Sequence, residues 1–340
     1  MKGYYYVGLD VHKKIIAYCV KRGDGTIVDE GEMGATRKEL YEFSRKLPRP
    51  CLVGMEATQF SGWIYNYLKP LVNRIKVGHS LMLRAICVAK KKTDRLDARK
   101  LADALRCDWF PESYMPEEKI MELRTALRYR ELLVREETRM KNKTAGLLME
   151  AGAEYNKQKL HGKRYFNNLM EGLDYVPETM KELICMSHAG AQYFDASQRK
   201  LVNALREHPE LKERVERLMS IPGVGEITAL TWVLEVADPH RFNTVKAAIS
   251  YCGLCSSDRE SAGKKHRAPL SKQRNKHLQR VLIEAAKLAR TWNPGIELAY
   301  EKSLAHRSNK NEATIESARK LVAYLMYVDK TGERFEIKAA

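Results

Sequence analysis

Three runs of strand-forming residues occupy most of the first 33 positions, and the first of them ends on a carboxylate. Residues 4–10 (YYYVGLD) and 15–22 (IIAYCVKR) are rich in aromatic and β-branched side chains. Gly23-Asp24-Gly25 is a turn signal, and 27–33 (IVDEGEM) resumes the strand pattern. That order is an antiparallel meander. A helical stretch follows over 36–47, then a strand over 51–56 (CLVGME), a helix near 61–71 and a short strand over 74–78. A meander passing into alternating strands and helices predicts a mixed α/β sheet.

Beyond this sheet the pattern turns helical. Residues 80–110 are helical and basic, and 117–150 form a long charged helix. Ile120, Leu123, Leu127, Val134 and Leu148 fall on a rough apolar stripe, as in a bundle or coiled-coil spacer. Residues 152–190 give no clear pattern, although Lys157, Lys159, Lys163 and Arg164 hint at nucleic-acid contact. Helices are expected around 194–219. After Ile221-Pro222-Gly223-Val224-Gly225 a compact helical region runs to about 328, ahead of a short polar tail.

Composition narrows the partners. Sixty Lys and Arg against 43 Asp and Glu leave a net charge of +17. The excess gathers in two stretches, Arg84 to Arg106 and Arg259 to Arg280, which is the electrostatic footprint of a polyanion, nucleic acid above all. No apolar run approaches a membrane span, and the first residues lack the order of a signal peptide. A soluble intracellular protein is expected. Seven irregularly spaced cysteines make no disulfide framework. Cys252 and Cys255 lack a second ligand pair, because His266 and His277 are too far apart for a zinc arm, so they are expected to be buried small hydrophobes.

The chemistry-bearing residues are carboxylates. Asp10 and Glu56 close two strands, where an acid is held rigidly at a sheet edge. Thr93 can cap a helix whose first turn carries Asp94 and Asp97, an i,i+3 pair on one face, whereas Asp103 lies on the far side. Four acids converging from two strands and a helix suit Mg²⁺ ions that carry out phosphoryl transfer. The alternative pairs Asp94 and Asp97 with Arg95, Arg99 and Lys100, and makes Asp10 and Glu56 turn or cap residues. In the second half, Gly223 and Gly225 permit a tight helix-hairpin-helix turn whose amides can hold a phosphate, or a plain turn with no ligand. Ser261 precedes Gly263 and the basic run Lys264-Lys265-His266-Arg267. From the residues alone it is either a turn serine or an activated nucleophile, with Ser256, Ser257 and Ser271 as rivals.

Gly-Leu-Asp10-Val-His-Lys, Met-Glu56-Ala-Thr and Lys-Thr-Asp94-Arg-Leu-Asp97-Ala together resemble the DEDD motif of IS110-type insertion-sequence transposases. Gln59 stands where that family often has glycine. The stretch from Gly253-Leu254 through Glu260-Ser261-Ala262-Gly263 is similar to the family's C-terminal transposase segment, with its serine on Ser261, and Leu270-Ser271-Lys272 continues the match. Cys255-Ser256-Ser257 and Arg274 depart from the usual residues. The likeness spans roughly 4–106 and 214–328.

The resemblance implies a RuvC-like (RNase H-like) domain over 1–110, a helical spacer over 111–213, a mainly α transposase domain with the serine loop over 214–330, and a tail over 331–340. It implies a recombinase that moves an insertion sequence. Asp10, Glu56, Asp94 and Asp97 would hold Mg²⁺, and Ser261 would become covalently linked to DNA. Expected partners are double-stranded donor and target DNA, a structured bridge RNA that guides the enzyme, and further copies of the chain in a dimer or tetramer acting on the bacterial nucleoid in the cytoplasm. Lys90, Lys91, Lys92, Arg95, Arg99, Lys264, Lys265, Arg267, Lys272 and Arg274, with Gly223 and Gly225, are the expected nucleic-acid contacts. Two other readings stay open: a metal-dependent junction nuclease in which Ser261 is structural, and a non-catalytic nucleic-acid-binding scaffold.

Overall fold

A computed structural model describes residues 3–86, 93–261 and 264–337, with backbone alone at 86, 257–261, 264–268 and 307. The chain divides into two compact units, Met1–Met121 and Glu122–Ala340.

The first unit opens with β1 (Tyr5–Val11), β2 (Ile15–Lys21) and β3 (Ile27–Gly34), and continues through α1 (Arg37–Lys46), β4 (Cys51–Glu56), α2 (Ser61–Leu68), β5 (Arg74–Gly78), α3 (Ser80–Ile86) and α4 (Asp94–Arg106). The sheet order is β3-β2-β1-β4-β5. The meander pairs antiparallel, and β4 and β5 add parallel to β1. This is the mixed sheet expected from the sequence.

Strand alternation assigns the two faces. Val7, Leu9 and Val11 join Val53 and Met55 in a core with Leu40 and Phe43 of α1 and Ile64 and Leu68 of α2. The opposite parity gives Tyr6, Gly8 and Asp10 on β1, and Leu52, Gly54 and Glu56 on β4. Tyr6 and Leu52 pack there against Leu101 and Leu105 of α4, and Ala17 and Cys19 of β2 against Ala98.

The two glycines let α4 lie directly on the sheet. A Cβ on Gly8 would come within 2.1 Å of the Ala98 carbonyl oxygen and 2.6 Å of the Ala102 nitrogen, and one on Gly54 within 2.8 Å of Leu105 Cδ1. Gly8→Ala is therefore expected to cost about 1–3 kcal/mol, because backbone rather than a flexible side chain has to move. It should also push the start of α4 away from β1 and impair any activity that needs both. A thermal melt, read beside DNA cleavage, checks this.

The second unit is mostly helical. α5 (Glu118–Glu150) enters it at Glu122 and is followed by α6 (Lys163–Glu171), α7 (Glu178–Arg206), α8 (Pro209–Leu218), α9 (Glu226–Val236) and α10 (Val245–Tyr251). The strands β6 (Ser256–Ser261) and β7 (Lys264–Leu270) precede α11 (Lys276–Ala289), α12 (Pro294–Arg307) and α13 (Lys310–Thr331). α5 and α7 run antiparallel. Thr144 meets Ser187 at 3.0 Å, and Arg130 donates to Gln198 at 3.0 Å. The buried positions of α5 include Leu133, Glu137 and Thr144 besides Leu123, Leu127 and Leu148, so the stripe expected through Val134 passes beside it.

Helix α9 is buried along most of its length, with Leu230, Trp232, Val233 and Leu234 fully buried, as befits a central helix. Trp232 donates to Asp329 of α13 at 2.8 Å, and Arg214 of α8 holds the same carboxylate through two bonds of 2.6 and 2.7 Å.

The region after Gly225 is not wholly helical. β6 and β7 form an antiparallel hairpin whose register ends on Ser261 opposite Lys264. Their sequences, SSDRES and KKHRAPL, carry no apolar alternation, which is why periodicity alone could not reveal them. Among the described residues, no helix is long and apolar enough to cross a membrane.

Candidate active site

Parallel register brings two of the acids together. Leu9 pairs with Met55, so Asp10 and Glu56, the next residues, stand side by side on adjacent strands and on the α4 face. The helix supplies the others. Thr93 caps α4 by accepting from the Leu96 amide at 3.3 Å, and Asp94 and Asp97 open a stripe that continues through Ala98, Leu101 and Leu105 onto the sheet.

Asp10 is largely buried, with its side chain 16% exposed, whereas Asp94 is 58% exposed. A residue not singled out from the sequence lies between them. His12 Nε2 is 3.2 Å from Asp10 Oδ2 and 3.5 Å from Asp94 Oδ1, and one ligand atom from each of the three residues lies within 4.8 Å of the others. His12 is the first residue after β1, two positions beyond Asp10, and its ring turns back to the Asp10 carboxylate. That spacing was the available signal.

The electrostatics suit a site for a cation. Burial pushes the Asp10 carboxyl above its ordinary range, and the nearby Asp94 and Asp97 push it further, while His12 opposes them. Asp97 is partly neutralised by Lys100 Nζ at 3.1 Å. Asp103 points away, to Lys21 at 2.6 Å and Arg106 at 3.4 Å. Carboxylates that repel one another at the end of a sheet, with His12 between them, fit a divalent cation.

Among the expected nucleic-acid contacts, Arg99 gives two 2.6 Å bonds to Glu30 of β3, and Arg95 lies 3.8 Å from Glu32. Lys90, Lys91 and Lys92 lie outside the described residues. In the second unit Lys264, Lys265 and Arg267 are on β7, while Lys272 and Arg274 are exposed in the bend after it. Gly223 has φ +91°, and a Cβ there would meet Ala289 of α11 at 2.3 Å, so close packing explains this glycine. Gly225 caps α9 with open space around it. Cys252 is fully buried, and burial drives its thiol strongly toward the protonated form.

A mixed five-stranded sheet with acids at the ends of β1 and β4 and on an overlying helix defines the class as RuvC-like DEDD nucleic-acid enzymes. Two family profiles match. One, described as Transposase and of the DEDD IS110 type, covers residues 7–152. The other, the Transposase IS116/IS110/IS902 family, covers 215–301. The chain belongs to this family of insertion-sequence transposases, enzymes of phosphoryl transfer on DNA. Relatives include the transposase for insertion sequence element IS1328 of Yersinia enterocolitica, 24% identical over 83% of both chains. A probable family 20 transposase of Pseudomonas aeruginosa is 25% identical over 83% of this chain and 82% of its own. The transposase for insertion sequence element IS1111A of Coxiella burnetii is 27% identical over 68% and 65%.

Proposed function

We propose that this transposase is an RNA-guided DNA recombinase that uses Asp10, Glu56, Asp94 and Asp97 to hold Mg²⁺ and Ser261 as its nucleophile. The observation that carries the reading is the meeting of Asp10, His12 and Asp94, one ligand atom of each within 4.8 Å of the others, with Glu56 beside Asp10 on the next strand and Asp97 one turn along α4. When bound, the ion polarises the scissile phosphate. The Ser261 hydroxyl oxygen forms a bond to phosphorus as the scissile P–O bond breaks. The proton leaves the serine and the departing deoxyribose oxygen is protonated, so the phosphodiester energy is kept in a protein–DNA ester for strand exchange. Lys264, Lys265 and Arg267 offset the charge that develops on the phosphorane.

The same proposal assigns 1–110, 111–213, 214–330 and 331–340 as RuvC-like, spacer, transposase and tail segments, and places the enzyme on nucleoid DNA in the bacterial cytoplasm. Phosphate contacts are assigned to Lys90, Lys91, Lys92, Lys272, Arg274 and Gly225. Arg95, Arg99 and Gly223 already have intramolecular partners or packing and contribute less. A dimer or tetramer is the working assembly, and mass photometry of the RNA complex tests it.

Protein expressed with its element's flanking non-coding DNA and supplied with Mg²⁺ is expected to cleave the element's DNA junctions. It should lose that cleavage both on ribonuclease treatment and on chelation. Cleavage that survives ribonuclease removes the RNA from the reading, and cleavage that survives chelation removes the metal.

A further inference from the structure

The strands β6 and β7 follow Cys252 and Leu254, which are buried in the helical body, where the Gly253 and Leu254 carbonyls accept from Gln279 at 2.6 Å and Arg319 at 2.8 Å. An isolated two-stranded hairpin is only marginally stable in water. Its placement depends on its roots. The outgoing root is Tyr251, the last residue of α10, and the returning root is Asn275, the cap of α11. The Asn275 amide nitrogen donates to the Tyr251 carbonyl at 3.0 Å, and one step inward Ser271 N donates to Cys255 O at 3.0 Å.

Both roots converge on one buried residue, Asn275 on its carboxylate and Tyr251 on its backbone carbonyl. Glu235 of α9 is 1% exposed. Its Oε2 accepts from Asn275 Nδ2 at 2.8 Å, and its backbone carbonyl accepts from the Tyr251 hydroxyl at 3.0 Å. Arg128 of α5 binds both carboxylate oxygens at 2.7 and 2.8 Å, with Arg124 at 3.8 Å. These partners hold the carboxyl below its ordinary range despite burial. Asn275 uses its side chain completely: Nδ2 donates to Glu235 and, at 3.3 Å, to the Tyr251 hydroxyl, while Oδ1 accepts from the His277 and Leu278 amides. Well-packed apolar residues would stabilise the α5–α9 contact at least as well as a buried ion pair, so stability alone does not account for this one.

We infer that Glu235 is the positioning residue of the Ser261 hairpin: held by Arg128, it fixes Asn275 and Tyr251 and so sets where β6 and β7 present the serine. This rests on the proposed nucleophilic role of Ser261. Asn275→Asp keeps the α11 cap but turns the donor toward Glu235 into a second acceptor. Glu235→Gln turns the acceptor into an amide and leaves Arg128 without its carboxylate partner. The double variant restores a hydrogen bond of reversed polarity and the cluster's charge.

The RNA-loaded full chain would be assayed at mildly alkaline pH, where the introduced carboxyl is ionised. Covalent protein–DNA adduct formation, DNA affinity, thermal stability and hydrogen exchange at the Ser271 amide would be followed, with Ser261→Ala as control. Each single variant is expected to form adduct about ten-fold more slowly, with DNA affinity changed by less than about two-fold and Ser271 exchange faster by about ten-fold. The two singles change the charge in opposite senses, so a shared loss is not electrostatic. The double variant should recover most of both. Singles that form adduct at the wild-type rate, or a double no better than either single, overturn the inference. A wild-type chain that forms no adduct while Ser271 exchange still responds in this pattern overturns the serine reading and leaves the Glu235 anchor standing. Unchanged exchange overturns the anchor itself. Should a single variant fail to fold, Arg128→Lys, which keeps the charge and loses the two-pronged contact, is read by the same criteria.

Discussion

Asp94→Asn is expected to lower DNA cleavage by at least about 10³-fold, roughly 4 kcal/mol of transition-state stabilisation, while leaving the fold intact. The argument is local. Asp94 sits in the first turn of α4 with its side chain 58% exposed, so it buries little, and it meets His12 at 3.5 Å. Losing a carboxylate there costs the helix about 0.3–1 kcal/mol through its dipole. It also relieves the repulsion that raises Asp10. Stability and catalysis therefore move separately: a thermal melt within about 1 kcal/mol of wild type, beside cleavage close to background. Retained cleavage would return Asp94 to a structural role and remove it from the proposed metal site.

Ser261→Ala is expected to abolish the covalent intermediate and reduce strand exchange by about 10⁴-fold or more, the scale of losing a nucleophile. The substitution removes one hydroxyl at the last paired position of β6, opposite Lys264. The Tyr251, Asn275 and Glu235 bonds at the hairpin's roots are untouched. Time courses of junction cleavage on native and denaturing gels measure the effect. If Ser261→Ala cleaves as fast as wild type and yields free ends, water is the nucleophile and the enzyme is a hydrolytic nuclease.

What the sequence made legible follows from how its residues signal. The first unit could be read because its strands alternate. Cys51–Glu56 and Arg74–Gly78 form at the positions expected, and one parity carries Gly8 with Asp10 and Gly54 with Glu56. Thr93 capping Asp94 and Asp97 is a local pattern and was equally readable. His12 was not legible because a histidine just past a strand end acquires meaning only once the fold brings Asp10 and Asp94 to its ring. Register drift on α5 arose because Glu137 and Thr144, polar residues at buried positions, interrupt the apolar stripe. The β6–β7 hairpin is charged on both strands and gives periodicity nothing to detect. The Glu235 network joins residues more than 100 positions apart, a relation that no local pattern encodes.

The central claim is that one reaction uses both the carboxylates and the serine. Its most direct test is mass spectrometry of the protein recovered from a Mg²⁺ reaction with its RNA and DNA. The account predicts a nucleotide adduct on the peptide containing Ser261, absent from Asp94→Asn and from Ser261→Ala. Cleaved DNA with no adduct on any peptide, or an adduct on another residue, would contradict it.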